Sequence, residues 1–297
     1  MKSKKVSNSN PLVSVLIITC ILGFILLFTV FLIKNSRDFS NAQAATIANS
    51  SIITGENQPQ PDINEPNDHV ILHGSRDKKQ IALTFDADMT AYMRQQVELH
   101  NYPTSINYSI IQILEQTHTK ATIFLTGMWA EMYPVETKTL ADNSLFEIGS
   151  HSYSHQSFSG YCYGLGELPK NEVEKEIGYT EGLLEQIAGV KVQFFRFPGG
   201  CYDASSVQMV NAAGEQVVHW DVVGDDGFNN DTQSIIQNVI THVQNGSIIV
   251  LHFNGPPTAP MTADALPTII QQLKAKGYEF VKVNELLGMP EEVRTNN

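Results

Sequence analysis

The sequence predicts an α/β domain built on a parallel sheet of about seven strands, closer to a barrel than to an open sheet, behind an N-terminal transmembrane helix. Three observations predict it. From about residue 78 onward, short apolar runs alternate with amphipathic stretches, and repeated strand–helix alternation implies a parallel sheet with helices outside. Residues capable of chemistry stand at the ends of those runs: Asp86 and Asp88, His151, Arg196, Asp221 and His252. In parallel α/β architectures that sheet edge holds the site. Finally, residues 12–33 are an uncharged apolar run.

The apolar run is 22 residues long, about 33 Å as a helix, enough to cross a bilayer. Lys2, Lys4 and Lys5 precede it, and Lys34 and Arg37 follow. The slight positive bias favours a cytoplasmic N-terminus. The run exceeds a signal-peptide core, and Ala42-Gln43-Ala44 lies well beyond its end, so an uncleaved anchor is expected ahead of cleavage and secretion. The expected organisation is a basic cytoplasmic tail (1–11), a membrane anchor (12–33), a polar linker (34–75) and an extracytoplasmic folded domain (76–297).

The elements follow in order. Gln80–Phe85 reads as a buried strand that ends at acids. Tyr108–Gln116 has helical apolar spacing. Ala121–Leu125 and Leu145–Ile148 read as strands, Glu172–Ile187 as a helix, Phe194–Phe197 as a short strand and Ala204–Ala213 as a helix. Gln216–Asp221 and Ser247–Leu251 read as strands. Thr262–Lys276 reads as a helix closed by Gly277, and Tyr278–Val283 as the last strand.

The net charge is −12. Residues 1–37 hold five basic and no acidic residues, so of 19 basic residues 14 remain to face all 31 acidic ones. An acidic domain argues against nucleic acid as a partner. Beyond Cys20, only Cys162 and Cys201 remain. They can pair in an oxidising compartment or stay apart.

Four motifs carry chemistry. His151 and His155 are four apart, which on a helical turn lets them share a face and one metal. Asp86 and Asp88 are two apart after a strand, so both carboxylates can face one cavity, and a cation or Arg196 is then needed to offset their repulsion. Gly199 and Gly200 allow close backbone approach, either to an oxyanion or as a plain turn. His252 ends a strand as a candidate acid, with Asp221 placed to orient it, or it is structural.

The ordered set TFDAD, HSYSH, RFPGG, WDVVGDD and LH over residues 78–288 resembles the five motifs of the polysaccharide deacetylases (carbohydrate esterase family 4, the NodB-type deacetylase domain). The resemblance implies a distorted (β/α) barrel and hydrolysis of N-acetyl groups from amino-sugar polymers. It also implies one divalent metal, zinc foremost, with cobalt, nickel or manganese as alternatives. His151 and His155 would be ligands and Asp86 the base, paired with Arg196. Gly199 would face the oxyanion and Leu251 the acetyl methyl. His252 would be the acid, tuned by Asp221. The family's first motif usually places the metal-binding aspartate directly after the base, where this chain has Ala87. Asp88 is therefore expected to ligate, with the reverse assignment as its alternative. The family's fourth motif usually adds a tryptophan, where this chain has Gly227 and Phe228. Residues 89–107 form an insertion expected to shape the cleft. An O-acetyl esterase acting on a polymer such as xylan, and a tethered non-catalytic glycan binder, are the rival readings.

Overall fold

The computed structural model describes residues 70–291 and 293–294. The expected tail, membrane anchor and all but the end of the linker lie outside the described residues, among which no helix is long and apolar enough to cross a membrane.

The strands are β1 (Val70–Ile71), β2 (Gln80–Ala87), β3 (Ala121–Leu125), β4 (Phe146–Ser150), β5 (Val190–Lys191), β6 (Phe194–Phe195), β7 (Gln216–Val218), β8 (Val222–Val223), β9 (Ile248–His252), β10 (Glu279–Val281) and β11 (Val293–Arg294). The helices are α1 (Ala91–Glu98), α2 (Tyr108–Gln116), α3 (Gly127–Met132), α4 (Pro134–Asp142), α5 (Val173–Ala188), α6 (Ala204–Ala213), α7 (Thr232–His242), α8 (Thr262–Ala275) and α9 (Val283–Leu287). Among the described residues, nine strands form one sheet in the order β1-β7-β6-β4-β3-β2-β9-β8, with β10 also on β2. All its ladders are parallel, whereas β5 and β11 form a separate antiparallel pair. The parallel strands and outer helices of the expectation are present as a curled half-barrel. Its end strands β1 and β8 are not paired with each other among the described residues.

All seven expected strands have counterparts. Two more join the sheet. Val70–Ile71, placed in the linker by the sequence, pairs with β7, because a short apolar pair finds an edge there that periodicity does not reveal. The expected strand 216–221 stops at Val218, and the sheet resumes as β8 beside β9.

β2 is the axis of the fold, flanked by β3 and β9. Ile81, Leu83, Phe85, Ala87 and Met89 are fully buried in the main core with residues of α2, α3, α7 and α8. Thr84, Asp86 and Asp88 take the other face of the same alternation. The pattern therefore puts aliphatic side chains outward under the helices and polar ones inward at the strand end. α1 is started by Thr90, whose hydroxyl accepts from the Met93 amide, and lies within the insertion. Asp203 and Asp231 cap α6 and α7 in the same way.

Candidate active site and metal centre

Asp86, at the end of β2, is buried, and its Oδ1 accepts from Arg196 Nη1 at 2.7 Å. Arg196 directly follows β6 and has no exposed surface. It also donates to Thr84 Oγ1 and to the carbonyls of Val218 and His219, and its guanidinium lies 4.0 Å over the Phe124 ring. The partners come from β2, β3 and the end of β7, so the arginine holds the Asp86 carboxylate in one orientation.

Asp88 lies past the last β2 residue on the same face. Its Oδ1 is 3.4 Å from His151 Nε2 and 3.2 Å from His155 Nε2. His151 follows β4, and its Nδ1 lies 2.8 Å from the Arg196 carbonyl, which turns Nε2 toward Asp88. The expected helical turn is absent: residues 151–156 are a loop in which Ser152 (φ 61°) and His155 (φ 58°) are left-handed. The two rings meet through that loop rather than through helical spacing, at 5.1 Å between centroids. Burial pushes the Asp88 carboxyl up, but His155, His151 and His252 more than offset this and hold it well below the carboxylate range.

The three side chains fit a metal. Their ligand atoms lie within 4.8 Å of one another, and Asp88 Oδ1 is buried without a hydrogen-bond partner. Tetrahedral bonds of zinc length give ligand–ligand edges of about 3.3 Å, close to the two distances observed. The hydrogen bond from His151 Nδ1–H to a backbone carbonyl is the usual outer support of a ligating imidazole.

His252 ends β9. Its Nδ1 is 2.8 Å from Asp226 Oδ1, and its Nε2 faces the cleft, 3.7 Å from Asp88 Oδ2. Asp226 is buried and also accepts from the His252 amide and the Thr262 hydroxyl. Burial lowers the imidazole's pKa, but Asp226, with Asp88 and Asp86 behind it, outweighs this and pushes it up to about 10.

Two sequence expectations are corrected. Asp221 does not reach His252. It accepts from the Ile248 amide and the Ser247 hydroxyl and pairs with Arg76 at 2.7 Å. Those contacts lie at the start of β9, four residues and roughly 13 Å from its end. The role expected of Asp221 falls to Asp226, which lies within the quoted WDVVGDD motif. Leu251 does not line the cleft. Strand alternation turns Val250 and His252 inward, and Leu251 packs in the outer core.

The cleft has a volume of about 350 Å³ and is lined by Asp86, Asp88, His151, His155 and His252 together with Gly199, Trp220 and Val250. Gly199 is left-handed (φ 62°), and a Cβ there would come within 2.7 Å of Cys162 Sγ. Cys162 and Cys201 form a disulfide, which ties the loop bearing Tyr163 and Leu165 to the Gly199 turn. Phe228, where the family's tryptophan is expected, is 75% exposed at the lip with φ 54°. A second hollow of about 240 Å³ continues beyond it and is lined by Tyr92, Met93 and Tyr102 of the insertion.

Sequence reasoning missed Asn254. It is fully buried, and its side-chain Oδ1 accepts from the Asp88 amide at 3.0 Å while Nδ2 donates to the Asp88 carbonyl, the Ser105 carbonyl and the Ser105 hydroxyl. Its only sequence signal is its place two residues after His252.

Residues 73–218 match the protein family described as "Polysaccharide deacetylase". The chain is 30% identical over 219 residues to a peptidoglycan-N-acetylglucosamine deacetylase of Bacillus cereus, covering 74% of this chain and 72% of that one. Among solved structures, a peptidoglycan N-acetylglucosamine deacetylase is similar with a TM-score of 0.65 and 28% identity, covering 76% of this chain and 95% of that one. A CE4 family pseudoenzyme from Bacillus anthracis is similar with a TM-score of 0.60 and 25% identity, covering 74% and 71%. The chain spans from 31% to 72% of the length of the first curated relatives it matches.

Proposed function

This chain belongs to the polysaccharide deacetylase family, and from that membership we propose that it is a metal-dependent hydrolase that removes N-acetyl groups from an amino-sugar polymer of the peptidoglycan or chitin type, releasing acetate. The observation that carries the reading is the buried convergence of Asp88, His151 and His155, with Asp86 and His252 on either side. Two imidazoles and a carboxylate suit zinc, with cobalt, nickel or manganese as alternatives. We further propose a catalytic domain outside the cytoplasm, tethered through residues 12–33.

The chemistry an ion at this site supplies is Lewis acidity toward the acetyl carbonyl and activation of water. Asp86, oriented by Arg196, takes the proton of the attacking water. The Gly199 turn approaches the developing oxyanion through its backbone. His252, kept protonated by Asp226, gives the Nε2 proton to the departing sugar amine. The hydrolysis balances: water's hydroxyl joins the acetyl carbon, the C–N bond breaks, and the amine leaves with a proton.

The second hollow beside the cleft supports a polymeric substrate. The exposed rings of Tyr92 and Phe228 suit the C–H faces of sugars next to the acetylated one. The B. anthracis neighbour makes the non-catalytic reading concrete. It is disfavoured by the buried Asp86–Arg196 and His252–Asp226 pairs, which pure glycan binding does not need.

The test is acetate release by the purified full chain from peptidoglycan and N-acetylglucosamine oligomers, with and without chelator. Chelator-sensitive release supports the proposal. Release from acetylxylan alone would replace it with an O-acetyl esterase, and no release with either substrate would leave the binder.

A further inference from the structure

β2 has lost its neighbours by the time it reaches Asp88. On one side, the Ala87 carbonyl takes the amide and hydroxyl of Thr126, where the chain turns into α3. On the other, the last backbone rung runs from the Phe253 amide to the Asp86 carbonyl at 2.8 Å. A strand end without partners has no reason to stay extended. Yet the alternation persists: Ala87 and Met89 are fully buried in the outer core, while Asp86 and Asp88 face the cleft.

The next rung on the β9 side is supplied by a side chain. The Asn254 carboxamide accepts from the Asp88 N–H and donates to the Asp88 C=O, at 3.0 and 2.9 Å. A neighbouring strand offers the same two groups, a carbonyl and an N–H. We propose that Asn254 is a positioning residue that acts as a one-residue strand, carrying the extended geometry of β2 through Asp88. That is what lets a ligand two residues after the base, rather than next to it, reach the metal. With Ala87 between them, Asp86 and Asp88 share a face only while the backbone stays extended. The bonds from Asn254 to Ser105 also close the insertion at its base, so a plain clasp is the competing explanation. The inference rests on Asp88 being a ligand, as proposed above.

Zinc dissociation constants from chelator competition, with the melting temperature of the zinc-free protein, separate the two explanations. Asn254→Ala is expected to weaken zinc binding at least tenfold, the size seen when groups behind metal ligands are removed. Ser105→Ala removes only a clasp bond and is expected to keep zinc affinity within twofold while lowering the melting temperature. Should Asn254→Ala not fold, Asn254→Asp, nearly isosteric and lacking the donor, is expected to weaken zinc in the same direction. Zinc affinity within twofold of wild type in a folded Asn254 variant would overturn this inference alone. Wild-type protein that binds no divalent ion would sink the metal reading and this inference with it.

Discussion

Asp226 Oδ1 and His252 Nδ1 lie 2.8 Å apart, with the aspartate buried and the imidazole's other nitrogen turned to the cleft. The pair fixes both the orientation and the proton of the proposed acid. Burial lowers the imidazole's pKa, and Asp226 outweighs it, holding the group up at about 10. An acid is active while protonated, so activity falls as pH rises through that pKa. Asp226→Asn removes the largest raising influence, and the alkaline limb of the kcat profile is expected to move to lower pH. Asp221→Asn, at the far end of β9, is expected to leave that limb in place. Profiles of the two variants check both statements.

Arg196 is fully buried against Asp86. Arg196→Met leaves a buried carboxylate without its partner, and breaking such a pair costs roughly 3–5 kcal/mol. The expected outcome is a large drop in melting temperature, read by thermal unfolding of the purified variant.

Glu215 is buried between α6 and β7, and neither carboxylate oxygen has a hydrogen-bond partner. Burial first, and Glu181 second, push its carboxyl well above the usual range. The folded state thus holds this proton more tightly than the unfolded one. Its contribution is fully present below the unfolded value and is lost as pH rises through the folded one. Glu215→Gln is expected to match wild type near pH 4 and to melt a few degrees higher at pH 8, since about 1 kcal/mol is about 2–4 °C for a domain of this size. Thermal unfolding at the two pH values checks it.

Phe228 and Tyr92 stand exposed at the two hollows of the cleft. If they stack on neighbouring sugars, Phe228→Ala and Tyr92→Ala should raise KM about tenfold on N-acetylglucosamine tetramers, in line with stacking of about 1–2 kcal/mol. The tetramer's advantage over the dimer should shrink accordingly. Equal effects on both lengths would contradict the stacking role.

Much of this was legible in the sequence because the relevant signals are local. The run Gln80–Phe85 announces a buried strand, and its end carries the acids. The histidines and Arg196 follow runs that became β4 and β6. The errors come from long-range pairing. The apolar run Gln216–Asp221 places Asp221 at a strand end, but β7 stops at Val218 and the chain turns before β8. Leu251 sits next to His252 in sequence and on the opposite face in space. Asn254 carries no motif, since its role exists only once β9 brings it beside Asp88. The helical turn expected for His151 and His155 gave way to left-handed residues that spacing cannot announce.

The separate roles of the two β2 aspartates are tested most directly by zinc content and acetate release in Asp86→Asn and Asp88→Asn. With Asp88 as ligand and Asp86 as base, Asp88→Asn should lose zinc and activity together. Asp86→Asn should keep zinc near wild-type occupancy while kcat falls at least about 100-fold. Zinc lost from Asp86→Asn and retained by Asp88→Asn would contradict the assignment.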